Sequence, residues 1–172
     1  MISKLVLTEV LHKAMSTGAD FAEVYVEHTK ENVISMIDSK VQSVADQVIA
    51  GVGIRIFKGT KCVAGSTTSM ERGDLLACAD RVAGALDVVP EGVTIHLQER
   101  LFGDIHPIKI VPSSATKQSK VDILKAGYFA AKEYHDDIAQ VSANLLDVDH
   151  EIWIANSDGL YTSDRQIRTR LA

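Results

Sequence analysis

The first forty residues change their hydrophobic period at one position. Up to residue 15, apolar side chains recur at helical spacing, which predicts an amphipathic helix over Ile2–Met15. Its apolar face carries Ile2, Leu5, Val6, Val10 and Ala14. Gly18 favours the end of this helix, because glycine accepts the left-handed conformation common at helix C-termini. From Phe21 the period becomes two, which predicts a strand buried on one face.

Alternation continues in short segments as far as Thr68, and it predicts four or five antiparallel strands joined as a meander. Asp38-Ser39-Lys40 is a plausible turn within this region. The polar content of Val41–Ala50 indicates an edge strand or a solvated face. The predicted strands are 21–27, Asn32–Ile37, Val41–Ala50, Gly51–Phe57 and Lys61–Gly65.

Helical spacing returns twice after the meander. Thr68 to Glu71 fits a capping box, and it predicts a helix over Met70–Leu86 that Pro90 stops. Ser119 and Asp122 open a third helix. The predicted buried stripes are Leu75, Ala79, Val82 and Leu86 in the first of these helices, and Val121, Leu124, Tyr128 and Ala131 in the second.

The remaining segments predict strands and one connection. Arg100–Lys117 has no clear period and is interpreted as an extended connection, and Asn156-Ser157-Asp158-Gly159 is a strong turn signal. The class is therefore α+β: an antiparallel meander flanked by helices, followed by a further helix and strands. The later predicted strands are Gly92–Gln98, Ile138–Leu146, Glu151–Ala155 and Leu160–Leu171.

Composition excludes several classes of protein. The 172 residues are 46% hydrophobic and carry a net charge of −5, without the basic patch expected of a nucleic-acid binder. No apolar run is long enough for a transmembrane helix, and the first fifteen residues lack the features of a signal peptide. Cys62 and Cys78 are then expected to be reduced thiols. We expect a cytoplasmic protein.

Candidate metal ligands are scattered along the chain. The six histidines lie on different predicted elements and show no ligand spacing, so we interpret them as surface or partly buried side chains. They are His12, His28, His96, His106, His135 and His150. Paired carboxylates occur at Asp136-Asp137 and at Asp147 and Asp149, and the Asn156–Gly159 turn begins like a calcium loop without its terminal glutamate. Turn chemistry explains these acidic groups more simply.

Other reactive or flexible positions have structural interpretations as well. Gly51 and Gly53 lack the third glycine and the following helix of a dinucleotide site, so a bulge or close backbone approach is favoured. Cys62 beside Lys61 could be an activated thiol, but a small apolar strand residue is the simpler interpretation. Hydroxyls at residues 66–69 have no recognisable base partner, and capping suffices for them.

Three stretches together resemble the TldD/PmbA family. They are Gly18-Ala19-Asp20-Phe21-Ala22-Glu23-Val24-Tyr25, Gly51-Val52-Gly53-Ile54-Arg55-Ile56, and Asn156-Ser157-Asp158-Gly159 with the later Asp164 and Arg168. Their order resembles the N-terminal region of that family across nearly the whole chain, and the second stretch is closer to the TldD branch. The resemblance implies one N-terminal domain over 1–172, with sub-regions 1–99 and 100–172, and a catalytic C-terminal half that lies outside this sequence.

The same resemblance implies a zinc-dependent peptidase that acts on unfolded or small precursor peptides, typically as a TldD–TldE pair. The family is also described as a modulator of DNA gyrase. Its motif is His-Glu-x-x-x-His on a helix, where two imidazoles hold the metal and the glutamate is the general base. Here the only His-Glu pair is His150-Glu151, in a strand-like segment without a second histidine. No catalytic or metal-binding residue is therefore assigned, and zinc is expected only in the absent half.

Two functional hypotheses remain open. In the first, the chain forms one wall of the substrate tunnel of a metallopeptidase and binds peptide by strand addition, with Val41–Val48 as the edge to consider first. In the second, it is a non-catalytic binding or regulatory module, of the gyrase-modulator type or like the TldE partner. Partners would be peptide and a TldE-like paralogue or a second copy, without nucleic acid or membrane. Arg165–Ala172 ends without a closing element, so we expect uncovered groups there that favour association.

Overall fold

The structure is a computed structural model that describes residues 2–86, 92–103 and 105–172. Pro90, predicted to stop the second helix, lies outside the described residues. Within them the helices are α1 Lys4–Ala14, α2 Arg72–Ala83 and α3 Lys117–Tyr134, with a short 3-10 turn at Pro112–Ser114. The strands are β1 Phe21–Ile37, β2 Lys40–Lys58, β3 Lys61–Thr67, β4 Gln98–Glu99, β5 Ser142–Asn156 and β6 Leu160–Leu171.

The strands form one six-stranded sheet in the order β3-β2-β1-β5-β6-β4. β2 and β3 pair antiparallel, whereas the short β4 runs parallel to β6. Consecutive strands are neighbours in the sheet at β1, β2 and β3 and again at β5 and β6, so the chain does not alternate strands with crossover helices, and the α+β prediction is confirmed. None of the described helices has the length and apolarity required to cross a membrane.

Several predicted strands are joined in the structure. The two segments over Phe21–Ile37 are one strand, and so are the two over Lys40–Lys58. The predicted divisions are wrong, because a backbone that is hydrogen-bonded to its neighbours stays extended whether its side chains are buried or exposed. The prediction for Ile138–Leu146 and Glu151–Ala155 was wrong for the same reason, since β5 is continuous over Ser142–Asn156.

The sequence predicted the presence of helices α2 and α3 correctly, but it did not predict their first residues or their capping groups. The Thr68–Glu71 capping box does not form: Glu71 is the N-cap of α2 and makes no side-chain cap, while Ser69 Oγ accepts from Glu71 N. α3 begins at Lys117 rather than at Ser119, because Thr116 Oγ1 accepts from Ser119 N. A hydroxyl one position before the helix therefore caps α3, whereas the start of α2 has no side-chain cap.

The buried stripe of α1 also differs from the predicted one. Leu5 is 70% exposed, whereas Leu7 and Leu11 are buried. The stripe is rotated because apolar residues almost surround this helix, and only packing decides which of them face inward.

Both predicted hairpin turns are confirmed. Asp38 and Ser39 both have positive φ, 45° and 61°, as the two-residue turn between β1 and β2 requires. In the second turn Asn156 Oδ1 accepts from the N–H groups of Asp158 and Leu160. Gly159 there has a φ of 90°, and a Cβ on it would lie 2.7 Å from the carbonyl oxygen of His96, so only glycine fits.

The segment over Gly92–Gln98 was predicted as a strand, and only its last residue belongs to β4. β4 pairs with β6 at just two positions, where Gln98 N donates to Gly159 O at 2.7 Å. Ile95 is nevertheless buried in the core, so the segment packs as irregular chain.

The chain divides into two compact units, and the long strands contribute to both. Unit 1 comprises Met1–His28, Ala50–Gly103 and Glu151–Asp164. Its core is formed by α1, α2 and the buried face of β1 and β2, together with Ile95, Ala155 and Tyr161. Unit 2 comprises Thr29–Ile49, Asp104–His150 and Arg165–Ala172. Its core is small and consists of Ile34, Met36, Leu124, Ala143 and Leu145.

Candidate functional site

The first half of β2 is the most exposed strand segment in unit 2. Each of the ten residues from Lys40 to Ile49 is exposed, on both faces of the strand. This exposed surface includes apolar side chains as well as polar ones. Four of them are Val41 at 42%, Val44 at 43%, Val48 at 62% and Ile49 at 39% exposure. A strand with this many apolar residues normally has one face packed against the core of the protein.

The outer edge of this segment is also open. β3 is the outer neighbour of β2, but it pairs only with Val52–Lys58. Among the described residues, no strand pairs with Lys40–Ile49 on that side. Alternate backbone N–H and C=O groups of an edge strand point outward, so this segment offers them to a further strand. The prediction of an edge or solvated face for this region is confirmed.

A polar cluster lies on the α3 side of the same segment. Asp46 Oδ1 accepts from Asn32 Nδ2 at 2.7 Å, and Asp46 Oδ2 accepts from Lys117 Nζ at 2.5 Å. The hydrogen bond from Lys117, followed by that from Asn32, lowers the pKa of the Asp46 carboxyl. The one acidic side chain of Lys40–Ile49 is thus already neutralised by a lysine from α3.

A buried ion pair lies next to this cluster. Lys120 and Asp147 are 7% and 4% exposed, and Lys120 Nζ lies 2.7 Å from Asp147 Oδ2. Lys120 also donates to Asn32 Oδ1 at 3.2 Å, and Thr169 donates to Asp147 Oδ1 at 2.5 Å. These contacts connect α3 to β1 and β5, and the hydrogen bond from Thr169 connects β6 to the same group. Neither charge could be buried without the other, because an unpaired buried charge is strongly destabilising.

Lys120 was missed by sequence reasoning, although a signal was present. It lies four residues before Leu124 and eight before Tyr128, on the same side of α3 as the predicted apolar stripe. A charged residue within a predicted apolar stripe indicates either that the stripe is assigned wrongly or that the charge is buried beside a group of opposite charge. Asp147 was considered as part of a carboxylate pair for a cation, and the structure gives it Lys120 instead.

A shallow cavity lies in unit 1. Its volume is about 290 Å³, and Met15, Gly18, Ala19, Asp20, Lys58, Val93, Ser157 and Asp158 line it. Asp20 accepts from Lys58 Nζ at 2.7 Å and from Gly59 N at 2.8 Å, which lowers the pKa of its carboxyl. Ser157 Oγ accepts from Ala22 N. These polar groups hold strand ends together.

The candidate metal ligands remain apart in the structure. Among the described residues, no three histidine, cysteine or acidic side chains are grouped so as to hold a metal ion. His150 and Glu151 are consecutive in β5, where neighbouring side chains point to opposite faces. The described residues therefore do not fit the zinc site that the family resemblance implies for a complete protein.

The other acidic candidates have structural partners. Asp149 accepts from Arg165 through both of its oxygens, at 2.8 and 2.6 Å. Asp137 lies 3.5 Å from His135 Nδ1 on the surface after α3. The turn interpretation holds for Asp136-Asp137, which lie in a turn, but it was wrong for Asp147 and Asp149, which lie within β5 and form ion pairs.

The structure agrees with only some of the interpretations of the glycines and hydroxyls. A Cβ on Gly53 would meet nothing within 4 Å, so the expectation of close backbone approach was wrong there; on Gly51 it would make ordinary contact with Thr67 O at 3.4 Å. The crowded position is Gly65 in β3, where an added Cβ would lie only 2.7 Å from Val82 Cγ2. Thr67 Oγ1 accepts from Ser69 N, which is a structural role.

The two cysteines lie in different surroundings. Cys62 is exposed in β3, whereas Cys78 is the buried thiol in α2. Cys62 is a strand residue, as the sequence indicated, but it is exposed because it lies on the outer strand of the sheet.

Two sequence profiles of one family match this chain. Residues 22–86 match domain 1 of the PmbA/TldA metallopeptidases, and residues 110–172 match the central domain of the same family. The chain is also 25% identical over 158 residues to a metalloprotease TldD homolog of Haemophilus influenzae. That alignment covers 89% of this chain and 32% of the relative, so the chain spans about a third of the relative's length.

Solved structures share the fold. A proposed modulator of DNA gyrase from Bacteroides thetaiotaomicron matches with a TM-score of 0.75 and 15% identity, over 99% of this chain and 41% of the other. A second proposed modulator, from Thermotoga maritima, gives 0.66 and 15%, over 88% of this chain and 34% of the other. TldE from Thermococcus kodakarensis gives 0.64 and 17%, over 96% and 37%. At these identities the likeness shows the fold.

The two family domains occur in order and together include most of the described residues. The chain belongs to the TldD/PmbA family and comprises its first domain and a matching part of its central domain. This confirms the resemblance that the three sequence stretches indicated.

Proposed function

We propose that this chain is the non-catalytic N-terminal part of a TldD-type zinc metallopeptidase, and that it guides an unfolded or small precursor peptide in extended form. The observation that supports this most is the match to two successive domains of a metallopeptidase family, in a chain whose described residues hold no metal-binding group. In this proposal hydrolysis requires residues that follow this sequence.

A scaffold of this kind needs a surface that binds peptide backbone with little demand on sequence. Strand addition meets the requirement, because main-chain hydrogen bonds supply affinity and the side chains of the edge strand only adjust it. The open segment of β2 has the required backbone geometry. We further propose that the protein acts in the cytoplasm.

The test uses the purified 172-residue chain and a labelled unfolded peptide. We expect the chain to bind the peptide and to leave it uncleaved when zinc is added, with less than one zinc per chain by elemental analysis. Cleavage that a chelator abolishes would place a catalytic centre in this chain and overturn the proposal. Absence of peptide binding would overturn the guiding role.

A second candidate is a non-catalytic partner of the TldE kind. The likeness to TldE from Thermococcus kodakarensis, over 96% of this chain, supports it. The two candidates differ in the encoded continuation of the sequence: a His-Glu-x-x-x-His motif there supports the peptidase, and its absence supports the partner. In either case we expect association with a TldE-like or TldD-like paralogue, which co-purification of the two proteins would reveal.

A further inference from the structure

Helix α3 carries two apolar stripes. The inner stripe, which includes Leu124 and Tyr128, packs on the small core of unit 2. A second one, the outer stripe, is exposed, and its members follow one another at steps of three or four residues, as apolar residues do where two helices pack together. One apolar stripe is sufficient for a helix that packs on one side, so the contacts of the described residues do not explain the outer one. The outer stripe consists of Ile123, Ala126, Ala130 and Tyr134.

The orientation of α3 about its own axis is fixed by the side chains that it buries. Lys120 Nζ lies 2.7 Å from Oδ2 of buried Asp147, and Leu124 is only 3% exposed. A rotation that buried the outer stripe would expose Leu124 and break the buried ion pair, which is strongly unfavourable. The outer stripe therefore stays on the side of α3 that faces away from the core of unit 2.

The outer stripe has the shape of a surface that packs against another helix. Its two large side chains lie at its ends, where Ile123 is 52% and Tyr134 is 85% exposed. Its middle is small, since Ala126 and Ala130 are exposed there and a Cβ on the adjacent Gly127 would meet nothing within 4 Å. Small side chains let the axis of a second helix come close. The stripe extends over roughly 18 Å, or about three turns of helix.

The charges of α3 are divided between its sides. Three of its four lysines bind carboxylate or carbonyl oxygens of this chain, and these are Lys117, Lys120 and Lys132. The two acids of α3, Asp122 and Glu133, are exposed, and at 3.6 residues per turn both lie on the same flank of the outer stripe. Neither acid has an ion-pair partner among the described residues. Glu133 lies in the last turn, where the helix dipole disfavours a negative charge, so a cation from outside the chain would be favourable there.

We propose that the outer stripe of α3 docks an amphipathic helix of a partner protein, and that this helix presents lysine or arginine to Asp122 and Glu133. The apolar stripe of the partner helix covers Ile123 and Tyr134, and its cations compensate the two acids. The inference is independent of the proposed peptide-guiding function, because it concerns a different surface and a helical partner.

A second copy of α3 lacks the required chemistry. In an antiparallel pair related by a twofold axis, the acidic flank faces itself, and like charges oppose association. In a parallel pair, the acidic flank faces the opposite flank of the outer stripe, which carries no exposed lysine or arginine. The charge pattern therefore favours a helix from a different protein.

The experiment measures fluorescence anisotropy of two labelled helical peptides with the 172-residue chain. Both peptides have roughly twenty residues, enough for a helix in water, and the same stripe of leucine and alanine. One carries lysine on both flanks of the stripe, and the other carries glutamate there. We expect the lysine peptide to bind about tenfold more tightly at low salt. The difference should shrink as salt is added, because both acids of α3 are exposed.

Reversal of the two charges tests the acidic flank. In the double variant Asp122→Lys/Glu133→Lys we expect the preference to reverse, so that the glutamate peptide binds more tightly. Asp136→Lys/Asp137→Lys is the matched control, because it changes the net charge equally at exposed acids in the turn after α3. The control should keep the preference for the lysine peptide. A reversal in the control as well would indicate nonspecific charge attraction and overturn the inference.

A substitution within the outer stripe tests the apolar contact. Ile123→Gln keeps good helix propensity but removes an aliphatic side chain, and we expect the lysine peptide to bind about fivefold more weakly. Leu5→Gln is its control, since Leu5 is 70% exposed on α1 in unit 1. This control should bind the peptide as the unmodified chain does. Circular dichroism checks that each variant is folded.

Three further results would overturn the inference. The first is that neither peptide binds, or that both bind equally well. The second is that Ile123→Gln binds the lysine peptide as tightly as the unmodified chain, since the contact would then lie elsewhere. The third is a dimer in light scattering that Ile123→Gln abolishes, because the occupant of the outer stripe would then be a second copy.

Discussion

Units 1 and 2 are stabilised in different ways. In the described residues, the core of unit 1 has twenty-one buried members, and helices α1 and α2 supply eight of them. The core of unit 2 has five, and its single long helix contributes only Leu124 among them. Unit 2 adds the buried pair of Lys120 and Asp147. Burial of apolar area is tolerant of small changes in geometry, whereas an ion pair is not.

The smaller core of unit 2 explains why the candidate site lies in that unit. A unit with a small core leaves much of its sheet uncovered, as the exposed segment Lys40–Ile49 shows. The polar contacts of Lys117 and Lys120 hold α3 over β1 and β5 without covering that edge. Binding surfaces of this kind are compatible with a stable protein when another region supplies the main core.

The largest expected effect is in unit 2. Lys120→Met removes the charge that compensates buried Asp147, and we expect the free energy of unfolding of this unit to fall by about 3–5 kcal/mol. Hydrogen exchange of the amides of α3 and β5 measures it. The double variant Lys120→Met/Asp147→Leu removes both charges and should recover most of the loss. A double variant as unstable as the single one would contradict the role assigned to the pair.

A somewhat smaller effect is expected in unit 1. Leu11 is fully buried in α1, and Leu11→Ala should reduce the free energy of unfolding by about 3 kcal/mol through lost burial and a residual cavity. Urea denaturation followed by circular dichroism measures the change. Leu5→Ala is the control, since this side chain is 70% exposed. If the two substitutions cost the same, the orientation of α1 in this structure is wrong.

The smallest effect concerns one surface carboxyl in each unit. Hydrogen bonds from Lys58 in unit 1 and from Lys117 in unit 2 lower the pKa values of Asp20 and Asp46. A lowered folded-state pKa means that the stabilising contribution is present above the ordinary value of about 3.9 and is lost as the pH falls through the lowered pKa. Both contributions should therefore be lost only in strong acid.

NMR titration of the side-chain carboxyls tests this. Lys117→Met should raise the pKa of Asp46 and leave that of Asp20 unchanged, and Lys58→Met should do the reverse. Since these side chains are exposed, the accompanying change in stability should be close to the limit of detection. A pKa of Asp46 that does not respond to Lys117→Met would show that the contact between α3 and β2 is absent in solution.

Features that depend on neighbouring residues were predictable from the amino-acid sequence. The α+β class, the three helices, the turns at Asp38-Ser39 and at Asn156–Gly159, and the departure from the zinc motif at His150 all follow from local spacing. Family resemblance was recoverable for the same reason, because its motifs are turns and strand starts whose conformations short stretches specify.

Features that depend on residues far apart in the sequence became visible only in the folded chain. Lys120 and Asp147 lie in different elements, and only packing of α3 on the sheet makes one the partner of the other. Equally, no local pattern shows that β3 stops short of Lys40–Ile49, because the length of one strand does not fix how far its neighbour extends. Alternation assigns side chains to two faces, but whether a face or an edge is covered is a property of the assembled sheet.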